Sequence, residues 1–472
     1  MAGVERMAAA DAWFLYLESP TVHLHVTGLL VLDPSTAPNG YTFAKLRRHV
    51  VGRLDLIPMM RRRVVEVPFG IDHAGWIDDP GFDIDEHVHR RSLKGHGSAS
   101  ALVDLVGEFA SIRLDRGRPL WDMLVIDGLD DGTVAVLLKM HHCIIDGITG
   151  MDVLTHLLDL TPTPPKRRPA KFDPTHRPNV FETTAGAVWN RLTTPLRPAQ
   201  AAIDVATSAR RAVTASLQRR LRGDESGAHP LNAPRTSLNG TITGRRSVAF
   251  RSSRLQDFKD IAAAFDVKVN DVVLAACTAG LREYLSARDE LPDRALVCSV
   301  PVSVHGQDQR DAAANQVSDM FVHLPVHLAD PVEQLQSIHH GCVGAKEVHE
   351  SVGPNVIGDV IEMIPPPLFH AASRLYSIAR LADLLAPVHN LVISNVVGAP
   401  IPLYLAGAEV VSMYPFGPLM EGTGLNITVV SSDGDMNIGL IVCPDLVDDP
   451  AEMVDGIVDG VATLAAAARR HS

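Results

Sequence analysis

Apolar and polar positions along the chain switch repeatedly between a period of two and a helical period, so strands and helices alternate. HLHVTGLLVLD (23–33) is a compact apolar run that predicts a strand. TFAKLRRHVVGRLDLI (42–57) puts Leu46, Val50 and Leu54 four residues apart and predicts a helix, and residues 99–113 predict a second amphipathic one. LWDMLVIDGL and TVAVLLKMHH flank Asp130-Asp131-Gly132, the signature of a β-hairpin. After Asp146-Gly147 the run MDVLTHLLDL is again helical.

This rhythm breaks at TPTPPKRRPAKFDPTHRP (161–178), whose proline and charge predict an extended linker. Residues 181–222 read as helical, interrupted by Pro195 and Pro198. They carry Arg191, Arg197, Arg210, Arg211, Arg219, Arg220 and Arg222 against Glu182 and Asp204. Such a stretch fits a solvated helical face or a surface that meets anionic lipid. A loop at 227–240 follows, and the α/β rhythm resumes. RRSVAFRSS, ALVCSVPVSV (295–304), MFVHLPV (320–326) and HNLVISNVVG (389–398) predict strands. LQDFKDIAAAFD and VNDVVLAACTAGLREYL predict helices, the latter with Asn270 or Asp271 near its N-cap. LNITVVSSDG (425–434) and MNIGLIVC (436–443) predict a hairpin turning at Asp433-Gly434. The expected fold class is α/β of the α+β type. An N-terminal half spans 1–160, a proline-rich then basic linker 161–243, and a C-terminal half 244–472.

Length agrees with this division, since 472 residues exceed one ordinary core. A net charge of −12 argues against nucleic acid as the main partner, because phosphate binding needs a basic face. Five cysteines stand singly without a CxxC pair, which predicts neither a disulfide framework nor a zinc cluster and suits a reducing, cytoplasmic setting. The N-terminal stretch carries Glu5, Arg6 and Asp11 and does not read as a signal peptide. No apolar run reaches the ~18 residues that a spanning helix needs.

Candidate chemistry concentrates in KMHHCIIDGITG (139–150). Side chains on a strand alternate between faces, so His141 and His142 at a strand end diverge. That divergence weighs against a metal site of His141, His142 and Asp146, whose ligands would have to converge within about 2 Å of one point. One imidazole facing a cleft is suited to general base work, because its ordinary pKa lies near neutral pH. Asp146 could orient it, brace the loop by pairing with an arginine, or only cap the next helix, and Gly147 permits a tight turn. Cys143 reads as a buried, inert thiol, and Ser303, Ser394 and Ser431 lack a GxSxG elbow.

HHCIIDG fits HHxxxDG, and the chain resembles the bacterial wax ester synthase/diacylglycerol acyltransferase family. That family shares this signature with condensation domains in the chloramphenicol-acetyltransferase-like superfamily. RGRPLW (116–121), VNDVVLA (269–275), ISNVVGAP (393–400) and YPFGPLMEGTGLNI (414–427) resemble further family elements, in order along nearly the whole chain. Two departures are Val397, where proline is common, and Ala314, where glycine is common.

The resemblance implies two chloramphenicol-acetyltransferase-like halves with mixed, largely antiparallel sheets and a channel between them. It implies an O-acyltransferase using acyl-CoA as co-substrate, with no resident cofactor or metal. The acceptor would be diacylglycerol or a long-chain alcohol. His142 would be the general base and His141 structural support. Asp146, beside Gly147, would brace the loop with Arg61 or Arg63 as partner. Asn270, Ser394 and Asn395 are the candidates for oxyanion or channel contacts. Such substrates imply a cytoplasmic protein held peripherally at a membrane or lipid-droplet surface. The alternatives are a condensation-type enzyme using a carrier-bound acyl group, and a lipid-surface binding protein without catalysis.

Overall fold

A computed structural model describes residues 4–93, 95, 97–144, 150–165, 167, 170, 172, 232–303, 317–352 and 366–471. In the N-terminal segment these form β1 (Glu5–Arg6), α1 (Ala9–Leu17), β2 (His25–Asp33), α2 (Phe43–Val51), β3 (Arg62–Val65), β4 (Gly75–Asp78) and β5 (Val88–Ser92). Then come α3 (Ala99–Ser111), β6 (Trp121–Asp127), β7 (Val134–His141) and α4 (Gly150–Leu157). The C-terminal segment contributes β8 (Ser247–Arg254), α5 (Leu255–Ala264), α6 (Val269–Ser286), β9 (Leu296–Ser303), β10 (Val317–Leu324), α7 (Pro331–Val352) and α8 (Pro366–Ile378). It ends with β11 (Leu391–Val397), β12 (Tyr404–Leu405), β13 (Ala408–Phe416), β14 (Leu425–Ser432), β15 (Asp435–Val442) and α9 (Pro450–His471).

Two six-stranded mixed sheets dominate, as the sequence leads one to expect. One runs β12-β13-β2-β7-β6-β5 and the other β10-β9-β11-β14-β15-β8. Most pairs are antiparallel. β5 runs parallel to β6, and β11 runs parallel to both β9 and β14. The first sheet is completed by β12 and β13, which come from late in the chain, so 404–416 cross over to pair with β2. Nothing in the local pattern of β13 announces this crossing, because pairing partners are a non-local property.

Local signals explain most elements. Asp433 (φ 44°) and Gly434 (φ 87°) both adopt left-handed backbone, which closes the β14–β15 hairpin as a primed turn. Thr42 caps α2 by accepting from the Lys45 N–H at 3.2 Å, and Gly52 ends it earlier than the apolar spacing to residue 57 suggests. The N-cap of α6 is Lys268, with Asp271 in the first turn accepting from the Lys268 N–H at 3.0 Å. Part of the expected linker lies docked on the N-terminal half. Arg167 donates to Asp55 at 2.6 Å, and Phe172 lies 4.2 Å beneath the Arg61 guanidinium. The basic stretch 181–222 lies outside the described residues.

Alternation along β15 sends Met436, Ile438, Leu440 and Val442 into a core shared with α5, α6, α7 and α9. Ile441 faces the other way, into a second core with α3, Tyr414 and Phe416 that joins the two halves. There β13 crosses β15 so closely that a Cβ on Gly439 would lie 2.0 Å from the Pro415 carbonyl oxygen. Backbone cannot yield as a side-chain tip can, so Gly439→Val should destabilise the protein by about 3 kcal/mol or more. Denaturant unfolding checks this, and a loss below about 1 kcal/mol would mean the halves separate freely at this crossing.

Candidate active site

The central strands β2 and β7 pair with His25 opposite His141 and Thr27 opposite Lys139. Val134, Val136, Leu138 and Met140 face the core of the N-terminal half, while Ala135 and Leu137 face the core that joins the halves. Lys139 and His141 share the second face by parity. Lys139 is buried there and donates to the carbonyls of Phe109 and Ile112 at 2.8 and 2.7 Å, tying β7 to the end of α3. Burial lowers its pKa to about 8.

β7 stops at His141. The His141 N–H donates to the Leu120 carbonyl at 3.0 Å and the His142 N–H to the Leu24 carbonyl at 2.9 Å. Residues His142–Ile144 then form a 3-10 turn. The two imidazoles part because the strand ends between them, with parity still setting the direction of His141.

His141 is fully enclosed. Its Nδ1 accepts the Cys143 N–H at 3.2 Å and lies 2.9 Å from the Cys143 thiol. A ring nitrogen that accepts a backbone N–H carries no proton, so the proton of this neutral ring sits on Nε2. Burial, with Arg116 next in effect, holds the ring far below its ordinary pKa. Nε2 faces the Glu18 carboxylate at 3.7 Å.

Glu18 is itself buried, just past the end of α1. Arg113 donates to its Oε1 through Nε and Nη2 at 3.2 and 2.9 Å, and Arg116 to its Oε2 through Nε at 2.7 Å. Arg116 also donates to the Leu15 carbonyl at 2.6 Å. The RGRPLW stretch thereby gains a physical role. Arg116 clamps the end of α1, Leu120 accepts from His141, and the buried Trp121 indole donates to Met60 at 2.7 Å.

His142 occupies a different environment. Its ring stacks on Phe14 of α1, with centroids 4.0 Å apart and planes inclined by 28°. The residue is half-buried, and among the described residues its enclosed Nδ1 has no hydrogen-bond partner. Burial lowers its pKa to about 4, against an opposing backbone hydrogen bond. The result is an imidazole that stays neutral throughout the neutral range and is not committed to a structural hydrogen bond at Nδ1.

Asp146 and Gly147 lie outside the described residues, and so does any contact they make. Of the two arginines expected near Asp146, Arg61 stacks over Phe172, and Arg63 has its Nε 3.6 Å from Asp79. Asn270 and Asn395 are brought together, the Asn395 amide donating to the Asn270 carbonyl oxygen at 3.2 Å. Asn395 shares its face of β11 with Ile393, which is buried in the core of the C-terminal half. Ser394 lies on the opposite face with Val396, which packs against the core of the N-terminal half beside Val430. Cys143 and Ile144 of the 3-10 turn belong to that same core. The His142 turn and the Ser394 face of β11 therefore border one apolar cluster. Among the described residues no three His, Cys, Asp or Glu side chains gather to hold a metal ion.

The Wax ester synthase/diacylglycerol acyltransferase catalytic domain model matches residues 7–273, and the WS/DGAT C-terminal domain model matches residues 313–465. The chain belongs to the wax ester synthase/diacylglycerol acyltransferase family. It is an acyltransferase of that family. A Mycobacterium tuberculosis protein named as a diacylglycerol O-acyltransferase is 35% identical over 466 residues, covering 98% of this chain and 90% of its own. The wax ester synthase/diacylglycerol acyltransferase from Marinobacter aquaeolei superposes with a TM-score of 0.69 at 26% identity, covering 98% of this chain and all of its own. The trichothecene 15-O-acetyltransferase from Fusarium sporotrichioides shares the fold at 12% identity and a TM-score of 0.59, covering 97% of this chain and 94% of its own.

Phe14, Glu18, Arg113 and Arg116 enter the site without having been singled out as site residues in the sequence. A partial signal existed, since Arg116 opens the family-like RGRPLW stretch. Glu18 lies 98 residues before Arg116, and no local pattern links them.

Proposed function

We propose that the protein moves a fatty acyl group from acyl-CoA to the hydroxyl of diacylglycerol or of a long-chain alcohol, with His142 as general base and no acyl-enzyme. The observation that carries this reading is the neutral, half-buried imidazole of His142, stacked on Phe14 with no structural hydrogen bond at Nδ1. The acceptor hydroxyl gives its proton to the imidazole as its oxygen bonds to the thioester carbonyl carbon. The tetrahedral intermediate collapses with cleavage of the C–S bond. The departing sulfur takes the proton back from the imidazolium, leaving an ester and free CoA.

A pKa near 4 makes His142 fully available as a base but weak in the resting site. Negative charge developing on the thioester oxygen strengthens it as the proton moves. Ser394, on the face of β11 turned to the N-terminal half, is the better oxyanion candidate, because the Asn395 amide is spent on Asn270. Direct transfer is favoured because Cys143 is buried against His141, away from solvent. Asp146 braces the loop beside Gly147 in this reading. The protein acts in the cytoplasm, held peripherally at a lipid surface. Among the described residues no helix is long and apolar enough to cross a membrane.

The test is product identification with purified protein, palmitoyl-CoA and either diacylglycerol or hexadecanol, following labelled ester and free CoA together. Stoichiometric ester and CoA are expected. Ester formed only when the acyl group is delivered on a carrier protein would replace this reading with a condensation-type one.

A pH prediction follows from the direction of the His142 shift. The neutral ring is the working form, and its pKa lies below the ordinary 6.5, so activity should persist as pH falls through 6.5. At pH 5.5 an unshifted histidine would be about tenfold depleted in its neutral form. kcat/KM for a water-soluble short-chain acceptor should fall less than twofold, roughly, between pH 7.5 and 5.5. An acid limb centred near 6.5 would show that His142 is not shielded as described.

A further inference from the structure

Helix α8 is amphipathic in the wrong sense for a soluble protein. Its inner side carries Phe369, His370, Ser373, Tyr376 and Ser377. Phe369 packs on Trp13 with ring centroids 4.8 Å apart, His370 Nδ1 lies 3.3 Å from the Tyr16 carbonyl, and Ser377 donates to Glu421 at 2.7 Å. Its outer side carries Leu368, Ala371, Ala372, Leu375 and Ile378, and all five are exposed. Leu375 is 64% and Ile378 74% exposed. The apolar surface continues through Leu384, Leu385 and Val388 after the helix.

A second, independent feature borders the same surface. Phe69 is held at φ 59°, ψ 8°, a left-handed conformation that a bulky side chain rarely adopts, and its ring is 91% exposed. The next residue, Gly70, touches the start of α8 so closely that a Cβ there would lie 2.4 Å from the Pro367 ring. The turn is thus wedged against α8 with its aromatic ring turned outward beside the helix. A strained backbone that exposes a phenylalanine has no benefit in water.

We propose that Phe69, the outer face of α8 and the 384–388 loop form the surface by which this protein docks on an anionic lipid surface. Charge favours lipid over a second copy of the chain. From residue 366 to 382 there is no Asp, Glu or Lys, and Arg374 stands exposed on the helix with no ion pair among the described residues. The first acid after this stretch, Asp383, is already paired with Arg380 at 2.7 Å, so a twofold dimer through this patch would set it against itself and offer Arg374 no unpaired acid of the patch, whereas a phosphate headgroup answers its charge. Docking here also lies one helix from the chemistry, because α1 packs on α8 and holds Phe14 against His142. The choice of a lipid occupant rests in part on the proposed greasy acceptor, but the binding test does not.

The experiment is co-sedimentation of the full chain with phosphatidylcholine vesicles, with and without phosphatidylglycerol. Wild type is compared with Phe69→Ser/Leu375→Ser/Ile378→Ser and with Arg374→Gln. All three substituted apolar residues are exposed, so the melting temperature should be unchanged. Partition onto mixed vesicles should fall on the order of 100-fold in the triple variant. Arg374→Gln should lose most of the preference for phosphatidylglycerol. Turnover of a water-soluble alcohol should stay at the wild-type rate in all variants. Wild type that does not sediment, or a triple variant that sediments equally, overturns the proposal. So does a wild-type dimer in sedimentation velocity that the triple variant dissociates while vesicle binding is absent. Binding as expected without ester from any acceptor would sink the acyl-transfer reading and leave the docking surface standing. Ester formation without binding would do the reverse.

Discussion

His142→Ala should lower kcat by about 10³-fold or more while leaving the melting temperature within about a degree of wild type. The expectation combines two facts about one side chain. Among the described residues His142 makes no side-chain hydrogen bond at Nδ1, so its loss strands no described partner there. Its ring does stack on Phe14, and removing it costs that contact, worth about 1 kcal/mol. Activity and stability should therefore separate. His141→Ala should behave in the opposite way. It removes a buried ring in contact with Cys143 and Glu18, and stability should fall with activity. The measurement is steady-state ester formation and thermal unfolding on both variants in parallel. If His142→Ala retained more than about a tenth of wild-type kcat, another group would have to take the hydroxyl proton.

Much of this contrast was legible in the sequence, for a reason that needed correction. Strand alternation predicts that neighbouring imidazoles face apart. In the structure β7 ends at His141, and the 3-10 turn at His142–Ile144 carries the second ring away. Turns with local chemistry were equally legible, as at Asp433-Gly434. Pairings between distant segments were not. β13 was not among the expected strands, and its partner β2 lies almost four hundred residues earlier. The same holds for the pair Asn270 and Asn395, named separately from the sequence and found 3.2 Å apart. The N-terminal stretch was weighed only as a leader segment, yet α1 supplies the stacking ring and leads into the buried carboxylate. α8 was not among the helices expected from the sequence, and its apolar stripe points to solvent.

A change in stability comparable with that at Gly439 is expected at the ion cluster at the end of α1, and its asymmetry can be predicted. The Glu18 side chain is 1% exposed, whereas Arg113 and Arg116 are 45% and 29% exposed. Without the carboxylate either arginine can turn its head to water, but without Arg116 the buried Glu18 keeps only Arg113, on Oε1, and cannot reach water with Oε2. Arg116→Ala should therefore cost more than Glu18→Gln, on the order of 3 kcal/mol against 1–2. The double variant should be more stable than additivity predicts, because removing the carboxylate's charge relieves the loss of the arginine. Kinetics supply a second reading. Glu18 faces His141 Nε2, and His141 ends the strand from which His142 departs, so Glu18→Gln should lower kcat several-fold with KM unchanged. Glu18→Asp, which keeps the charge on a shorter arm, should recover part of that loss. A denaturant double-variant cycle with steady-state kinetics on each member tests both points. Additive stabilities would mean Arg116 holds α1 through the Leu15 carbonyl and general packing alone. An unchanged kcat in Glu18→Gln would mean that the strand end carrying the two histidines is held without the carboxylate.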